Sequence, residues 1–461
     1  MGWGGVYWII AIQTVYTRPS GVHLLQGGTM TTLATLLYYM YSGLTNRFLS
    51  LLRASERYVH IDMMYLAKGG SWMTFGQAIN MLVGFGISLA FANLLPKESF
   101  GTYKFILSTV ALIGIFSFLD IGTAVTQAVA RGFGNSLQQG FRANLKWSLG
   151  TCVGGLVLSL YYYLQGNALL SFSFLLAGIL SPLAGSASMY GSYLLGKKDF
   201  KRSTLYGAIR NVLPAVALIL TLFLTQSLWV IIAVYFISTA IVTLFLYRAT
   251  ARAYARENTR EDAGLTSYAG HLGMMGIIGQ VAGNLDKILI YHYLGAAPLA
   301  IYAFAIAPVE QLQSGKKILN ALLLTKLSER PFGELQKSAP RRVLMLALYA
   351  AILIGIYVPL IPYFFKLFYP QYLDSVFYSQ IYALTLFGVI GSALESYLVA
   401  HKKKVELYIH RTIVPVIQIA LFFLLIPTLG LMGLVMAQIA TRLLAGLSAY
   451  YFVAHPFRST P

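Results

Sequence analysis

Twelve long apolar stretches alternate with polar connections along the 461-residue chain. They fall near 72–95, 104–128, 147–165, 169–194, 204–225, 227–247, 269–293, 298–315, 343–365, 375–399, 409–427 and 430–452. Each approaches the ~20 residues an α-helix needs to cross the hydrocarbon core of a bilayer. The runs are continuously apolar, without two-residue alternation, which favours helices over barrel strands. The pattern predicts an all-α, polytopic membrane protein with about 12 transmembrane helices.

Charge sharpens this into a topology. One class of connections is basic: Arg131, Arg142 and Lys146; Lys197, Lys198, Lys201 and Arg202; Arg248, Arg252, Arg256 and Arg260; Lys316 to Arg342; Lys402, Lys403, Lys404 and Arg411. The intervening class is short and nearly uncharged, holding only Lys97, Lys104 and Lys366. Basic loops stay in the cytoplasm, so both termini are expected there, with the cytoplasmic membrane as the location. We call the two sides the charge-rich and charge-poor faces.

Composition removes several function classes. The formal net charge is +19, but the basic residues are dispersed over many short loops, so nucleic acid is not an expected partner. The lone Cys152 sits in an apolar stretch, allowing neither an internal disulfide nor a cysteine metal site. The 7 histidines lack zinc-type spacing, no phosphate-binding loop pattern is present, and no cofactor is expected.

The segments divide as 1–68, an N-terminal extension with an interfacial helix at 46–68; 69–250, a first six-helix bundle; 251–268, a cytoplasmic linker; 269–455, a second bundle; and 456–461, a tail. The loop 314–342 is a further candidate for a surface helix. Residues 1–29 also read as an extension from an early start, with Met30 as the alternative start. An offset of 199 residues lays 91–105 over 290–304, pairing Leu95 with Leu294, Tyr103 with Tyr302 and Phe105 with Phe304. A six-span repeat keeps its orientation, so the two bundles would be related by a pseudo-twofold axis along the membrane normal.

Three segments carry a family resemblance. YLAKGGSWMTFGQAINMLVGFGISLAFANLLPKESFGTYKFILS at 65–108, QAVARGFGNSL at 127–137 and NLDKILIYHYLGAAPLAIYAFA at 284–305 resemble the oligosaccharide flippase, or polysaccharide biosynthesis, family of O-antigen transporters. The resemblance covers about 65–455 and places the chain in the multidrug/oligosaccharidyl-lipid/polysaccharide superfamily. It implies flipping of polyprenyl-pyrophosphate-linked oligosaccharide between leaflets without ATP, with ion coupling in some members. The implied partners are that lipid-linked substrate, membrane lipids and other polysaccharide-assembly proteins.

Charges inside spans cost roughly 2.5–3.5 kcal/mol each at the centre on insertion scales, which makes them site candidates. Arg210, Lys287 and Arg442 are the cations available to a pyrophosphate, arginine binding it best through its planar fork. The competing expectation is that the arginines snorkel or pair with acids. Asp120, Asp286 and Glu310 are candidates for ion coupling or polar cavity lining, against an ordinary interhelical hydrogen bond. Asp286 and Lys287 are neighbours on one helix and are expected to point apart. Glu395 is expected to be a polar anchor, and the 32 tyrosines to form mainly an aromatic belt. Two alternatives to a flippase remain: an exporter of drugs or metabolites from the same superfamily, and a membrane polymerase or ligase, which would need a sizeable loop on the charge-poor face.

Overall fold

The computed structural model describes residues 63–117, 120–255, 260–314, 332–401 and 403–455. The extension 1–45, most of the interfacial helix expected at 46–68, the greater part of the 314–342 loop and the tail lie outside the described residues. Residues 71–461 form one compact unit and residues 1–70 another.

Among the described residues the fold is helical, without strands. The helices are α1 (Met63–Leu94), α2 (Lys97–Ile113), α3 (Ile121–Ala130), α4 (Ser136–Trp147), α5 (Leu149–Leu164), α6 (Ala168–Ala187), α7 (Met189–Gly196), α8 (Phe200–Leu224), α9 (Leu228–Ala253), α10 (Leu265–Leu294), α11 (Ala296–Ser314), α12 (Phe332–Phe368), α13 (Ser375–Tyr382), α14 (Gly388–Ala400) and α15 (Lys404–Ala454). The apolar stretches read from the sequence fall largely on helix, with 104–128 interrupted. Among the described residues, 9 helical stretches are long and apolar enough to cross a membrane, and the protein is a multi-pass membrane protein. Two adjustments explain that number. α15 carries two of the expected spans in 51 residues, bent at Gly430 with φ 60° and ψ −138°. The polar residues of α10 and α11, among them Asp286, Lys287 and Glu310, hold those two helices below that apolarity.

Side chains are distributed for a lipid solvent. On α5, Leu149, Val153, Leu156, Val157, Leu160 and Leu164 are exposed, while Thr151, Gly155 and Ser159 are buried. Helices in lipid pack through small residues because close backbone approach replaces the hydrophobic drive. A Cβ on Gly155 would stand 2.6 Å from the Gly178 Cα of α6.

The expected span 104–128 is two helices. α2 ends in a single 3-10 turn at Gly114–Phe116, and α3 starts only at Ile121. The start of α2 also lies seven residues earlier than expected, at Lys97, just after Pro96. Proline fixes an extended entry and suits the edge of a first turn.

α2 and α11 begin 199 residues apart and meet at their first turns. A methyl group on Gly101 would overlap the Ala296 carbonyl, so only glycine permits this crossing. Around it Phe100 packs on Phe304 at 4.7 Å, and Phe105 stacks on Tyr291 at 3.9 Å. Lys97 pairs with Asp374 at 2.9 Å, Asn93 donates to the Phe368 carbonyl at 3.1 Å, and Ser88 bonds Tyr369 at 2.9 Å. These contacts seal the charge-poor end.

At the opposite end the segment before α10 is clasped to α3 and α4. Arg131 reaches Asp262 Oδ2 at 2.8 Å, and Gln139 exchanges two bonds with the Asp262 backbone, at 2.8 and 3.1 Å. Asp262 Oδ1 accepts from the Gly264 amide at 3.0 Å, opening α10. Leu265 and Ala269 are then buried with Ile121, Val125, Tyr193 and Leu246, in a core otherwise built by α3, α4 and α7–α9.

Candidate functional site

Helical rise converts sequence position into depth. At ~1.5 Å per residue, Lys104 on α2 and Lys287 on α10 both lie about 10 Å from the charge-poor ends of their helices. Glu310 on α11, Arg442 on α15 and Arg210 on α8 lie about 18–21 Å from theirs. The ionisable groups therefore occupy two tiers.

The upper tier centres on Asp286, which is 2% exposed. Tyr302 of α11 donates its hydroxyl to Asp286 Oδ2 at 3.0 Å. Lys287 places its ammonium 3.2 Å from Asp286 Oδ1 and 3.3 Å from the Gly283 carbonyl. This corrects the expectation that the two neighbours point apart. Their Cβ vectors diverge on the helix, but the four-carbon lysine stem folds back and brings the charges together. Lys287 is thus neutralised locally.

Glu310 carries the lower tier. Its side chain is exposed, yet the charges of Lys287, Asp286, Lys104 and Arg442 all act on it. Those groups come from α10, α2 and α15, so Glu310 faces a cleft between helices rather than the outer surface. Neither Glu310 nor Arg442 has an ion pair or hydrogen bond among the described residues. The Arg442 stem lies against Gly388, where a Cβ would stand 3.2 Å from its Cδ.

Arg210 stands on the first-half side. It is the eleventh residue of α8, deeper than expected because α8 starts at Phe200 rather than 204. Its charge acts on Tyr190 and Tyr235, and it too has no bonded partner among the described residues. The adjacent Asn211 ties α8 to α1 by donating to Asn80 at 2.7 Å.

Asp120 does not join these groups. It occupies the break between α2 and α3 in the left-handed region, with φ 60°, and its side chain is exposed. The span expected at 104–128 is interrupted just where Asp120 stands. Glu395 accepts from Arg411 Nε at 2.8 Å, an anchor at the charge-rich end. Among the described residues no group of His, Cys, Asp and Glu is arranged to hold a metal ion.

Lys104 is the residue that sequence reasoning missed. The loop-charge pattern groups it with the charge-poor connections, whereas it lies two turns inside α2. The signal was Pro96, which marks the helix start and places Lys104 in the bilayer. Lys104 lines a cavity of about 170 Å³ with Gly84, Phe91, Tyr103, Tyr235 and Phe304 among its walls. Around Glu310 the charges are mixed with a basic excess, Lys104, Lys287 and Arg442 against Asp286 and Glu310, while Arg210 acts on Tyr235 and Tyr190.

Comparison with known proteins bears on family and fold. The polysaccharide biosynthesis protein family matches residues 66–317. Among solved structures, an inward-facing multidrug resistance transporter of the MATE family in the MOP superfamily aligns with a TM-score of 0.61 at 13% identity, over 83% of this chain and 96% of the other. The lipid II flippase MurJ, in an inward closed conformation, aligns at 0.58 and 13% identity, over 84% and 87%. A MOP superfamily transporter from Pyrococcus furiosus, described by the reversed polarity of its binding pocket, aligns at 0.55 and 12% identity, over 85% and 95%. At such identities the likeness is one of fold. No curated protein matches the sequence.

Proposed function

The chain belongs to the polysaccharide biosynthesis protein family, and on that premise we propose that it flips a polyprenyl-pyrophosphate-linked oligosaccharide across the cytoplasmic membrane by alternating access. The observation that carries the reading is a set of intramembrane cations without partners among the described residues. Arg442 and Arg210 sit mid-depth without partners among the described residues, and Lys104 has no ion pair there. An intramembrane cation left unneutralised is costly, so a substrate that supplies the counter-charge is expected. A pyrophosphate does so, and arginine can bind it through two parallel bonds.

In this reading Arg442 and Arg210 take the pyrophosphate from opposite sides of the cleft, with Lys287 adding charge once the substrate competes for it. Glu310 and Asp286 are the groups available for ion coupling; Asp120 acts at the α2–α3 break. The sealed contact of α2 on α11, with Glu310 and Arg442 accessible, supports an inward-open state when the basic face is cytoplasmic. The 199-residue spacing of the α2 and α11 starts supports two six-helix bundles of one orientation.

The alternatives fit less well. An exporter of amphipathic cations calls for an acidic cleft, and the charges around Glu310 have a basic excess. A polymerase or ligase needs a large acceptor-holding loop on the charge-poor face, where the described connections are as short as Leu95–Pro96 and Gly295. The test is the leaflet distribution of lipid-linked repeat units in cells lacking this protein and any redundant flippase. Accumulation on the cytoplasmic leaflet, reversed by the wild-type gene and not by Arg442→Gln, is the expected result. An unchanged distribution would sink the proposal.

A further inference from the structure

The small cavity beside Lys104 has a chemistry of its own. Its walls include Phe91, Phe100 and Phe304, each at most 4% exposed and packed against other rings, so they form a rigid apolar rim. Tyr103 stacks on Phe91 at 4.8 Å and meets Tyr235 edge-on at 5.8 Å, so both phenols are fixed in place. The Lys104 ammonium stands 5.3 Å over the Phe100 ring, which holds it at the cavity wall.

Buried polar groups are nearly always hydrogen-bonded. Tyr103 is buried and Lys104 and Tyr235 are half-buried; all three line one cavity, and none of their polar ends has a hydrogen bond to another described residue. Tyr103 is only 5% exposed. Three donors lining a cavity with an apolar rim call for a ligand rich in oxygen acceptors and carrying negative charge. A polyprenyl tail would leave all of them unsatisfied, and a cationic drug would meet Lys104 head on. The volume of about 170 Å³ is below the ~300–1,000 Å³ of a whole small-molecule site, so one ring of a larger substrate fits.

We propose that this cavity is a single-ring sugar subsite that selects a pyranose carrying or adjoining an anionic group, the ring held within the apolar rim, the anion on Lys104 and ring oxygens on Tyr103 and Tyr235. The proposal rests on the flippase reading and names the part of the substrate that decides selectivity. The anion is either a carboxylate on the ring or the phosphate at its anomeric carbon.

The experiment is thermal unfolding of the full chain in lipid nanodiscs at fixed ionic strength, titrated with glucose, glucuronate or glucose 1-phosphate. A rise in midpoint with an anionic probe and little with glucose supports the subsite. Glucuronate alone assigns the ring carboxylate, and glucose 1-phosphate alone assigns the anomeric phosphate. Lys104→Gln weakens the anionic probe at least about tenfold, as removal of a charge-assisted hydrogen bond does. Lys104→Arg retains binding, and its normal chromatographic profile controls for misfolding. No shift with either anion, an equal shift with glucose, or an unaltered response in Lys104→Gln overturns the proposal. Anionic probe binding together with an unchanged leaflet distribution removes the flippase reading and leaves the subsite standing.

Discussion

The Tyr302 hydroxyl donates to Asp286 at 3.0 Å from the neighbouring helix, fixing a carboxylate whose other oxygen lies against Lys287. The triad spans α10 and α11 in the upper tier of the cleft. Tyr302→Phe leaves Asp286 buried with one partner fewer, at a cost of about 1–3 kcal/mol. Asp286→Ala strands Lys287 and costs more, about 3–5 kcal/mol if the ammonium stays buried. Thermal unfolding of the two variants in one detergent checks the order; a more stable Asp286→Ala would refute the pairing as described.

Gly101 is where α2 and α11 touch through backbone. Gly101→Ala has no room for its methyl group and must part the two helices. The expected outcome is a loosened charge-poor end, with a cost of about 1–3 kcal/mol to the sealed state. Spin-label distances between α2 and α11 would lengthen. An unchanged distance distribution would show that the seal lies elsewhere.

Lys97 and Asp374 form a pair that is largely open to solvent, with side-chain exposures of 28% and 66%. Such pairs contribute about 0–1 kcal/mol. Asp374→Asn is therefore expected to leave the unfolding midpoint nearly unchanged while raising the rate at which this end opens. Exchange of the charges, Lys97→Asp with Asp374→Lys, restores the wild-type rate. Single-molecule fluorescence across the charge-poor end reads both.

Asp262 does two jobs for the start of α10, accepting from the Gly264 amide and from Arg131. Asp262→Ala loses both and costs about 1–2 kcal/mol, in the range of a lost helix cap. Hydrogen exchange across residues 260–269 is expected to rise while exchange in α5 and α6 stays as it was. A uniform rise would mean global destabilisation instead.

How far the sequence could be read depends on what each residue's signal measures. Hydropathy located helices well because the lipid-facing stripe of α5 is apolar regardless of tertiary packing. It failed at α2, where the span was drawn from Lys104 onward. A lysine reads as loop, and only the helix-start signal at Pro96 outweighs that. The same failure hid Lys104 and moved Asp120 from a helix interior to a helix break. Lys287 was recognised as an intramembrane cation, but the backward fold of its stem onto Asp286 depends on rotamers that periodicity does not encode. The cavity of Phe91, Tyr103, Tyr235 and Phe304 was beyond reach for a different reason. Its walls come from residues 84 to 307, and nothing local marks them as neighbours.

The clasp at Asp262 and the burial of Leu265 and Ala269 among α3, α4 and α7–α9 give the segment before α10 a meaning beyond tethering. α10 begins, structurally, inside the group of helices that precede it. A cut in the peptide chain at 256–259 would therefore separate two pieces that still share a helix root. The fragments 1–255 and 260–461 should recognise each other when made separately, the first turns of α10 serving as plug and Arg131 and Gln139 as socket.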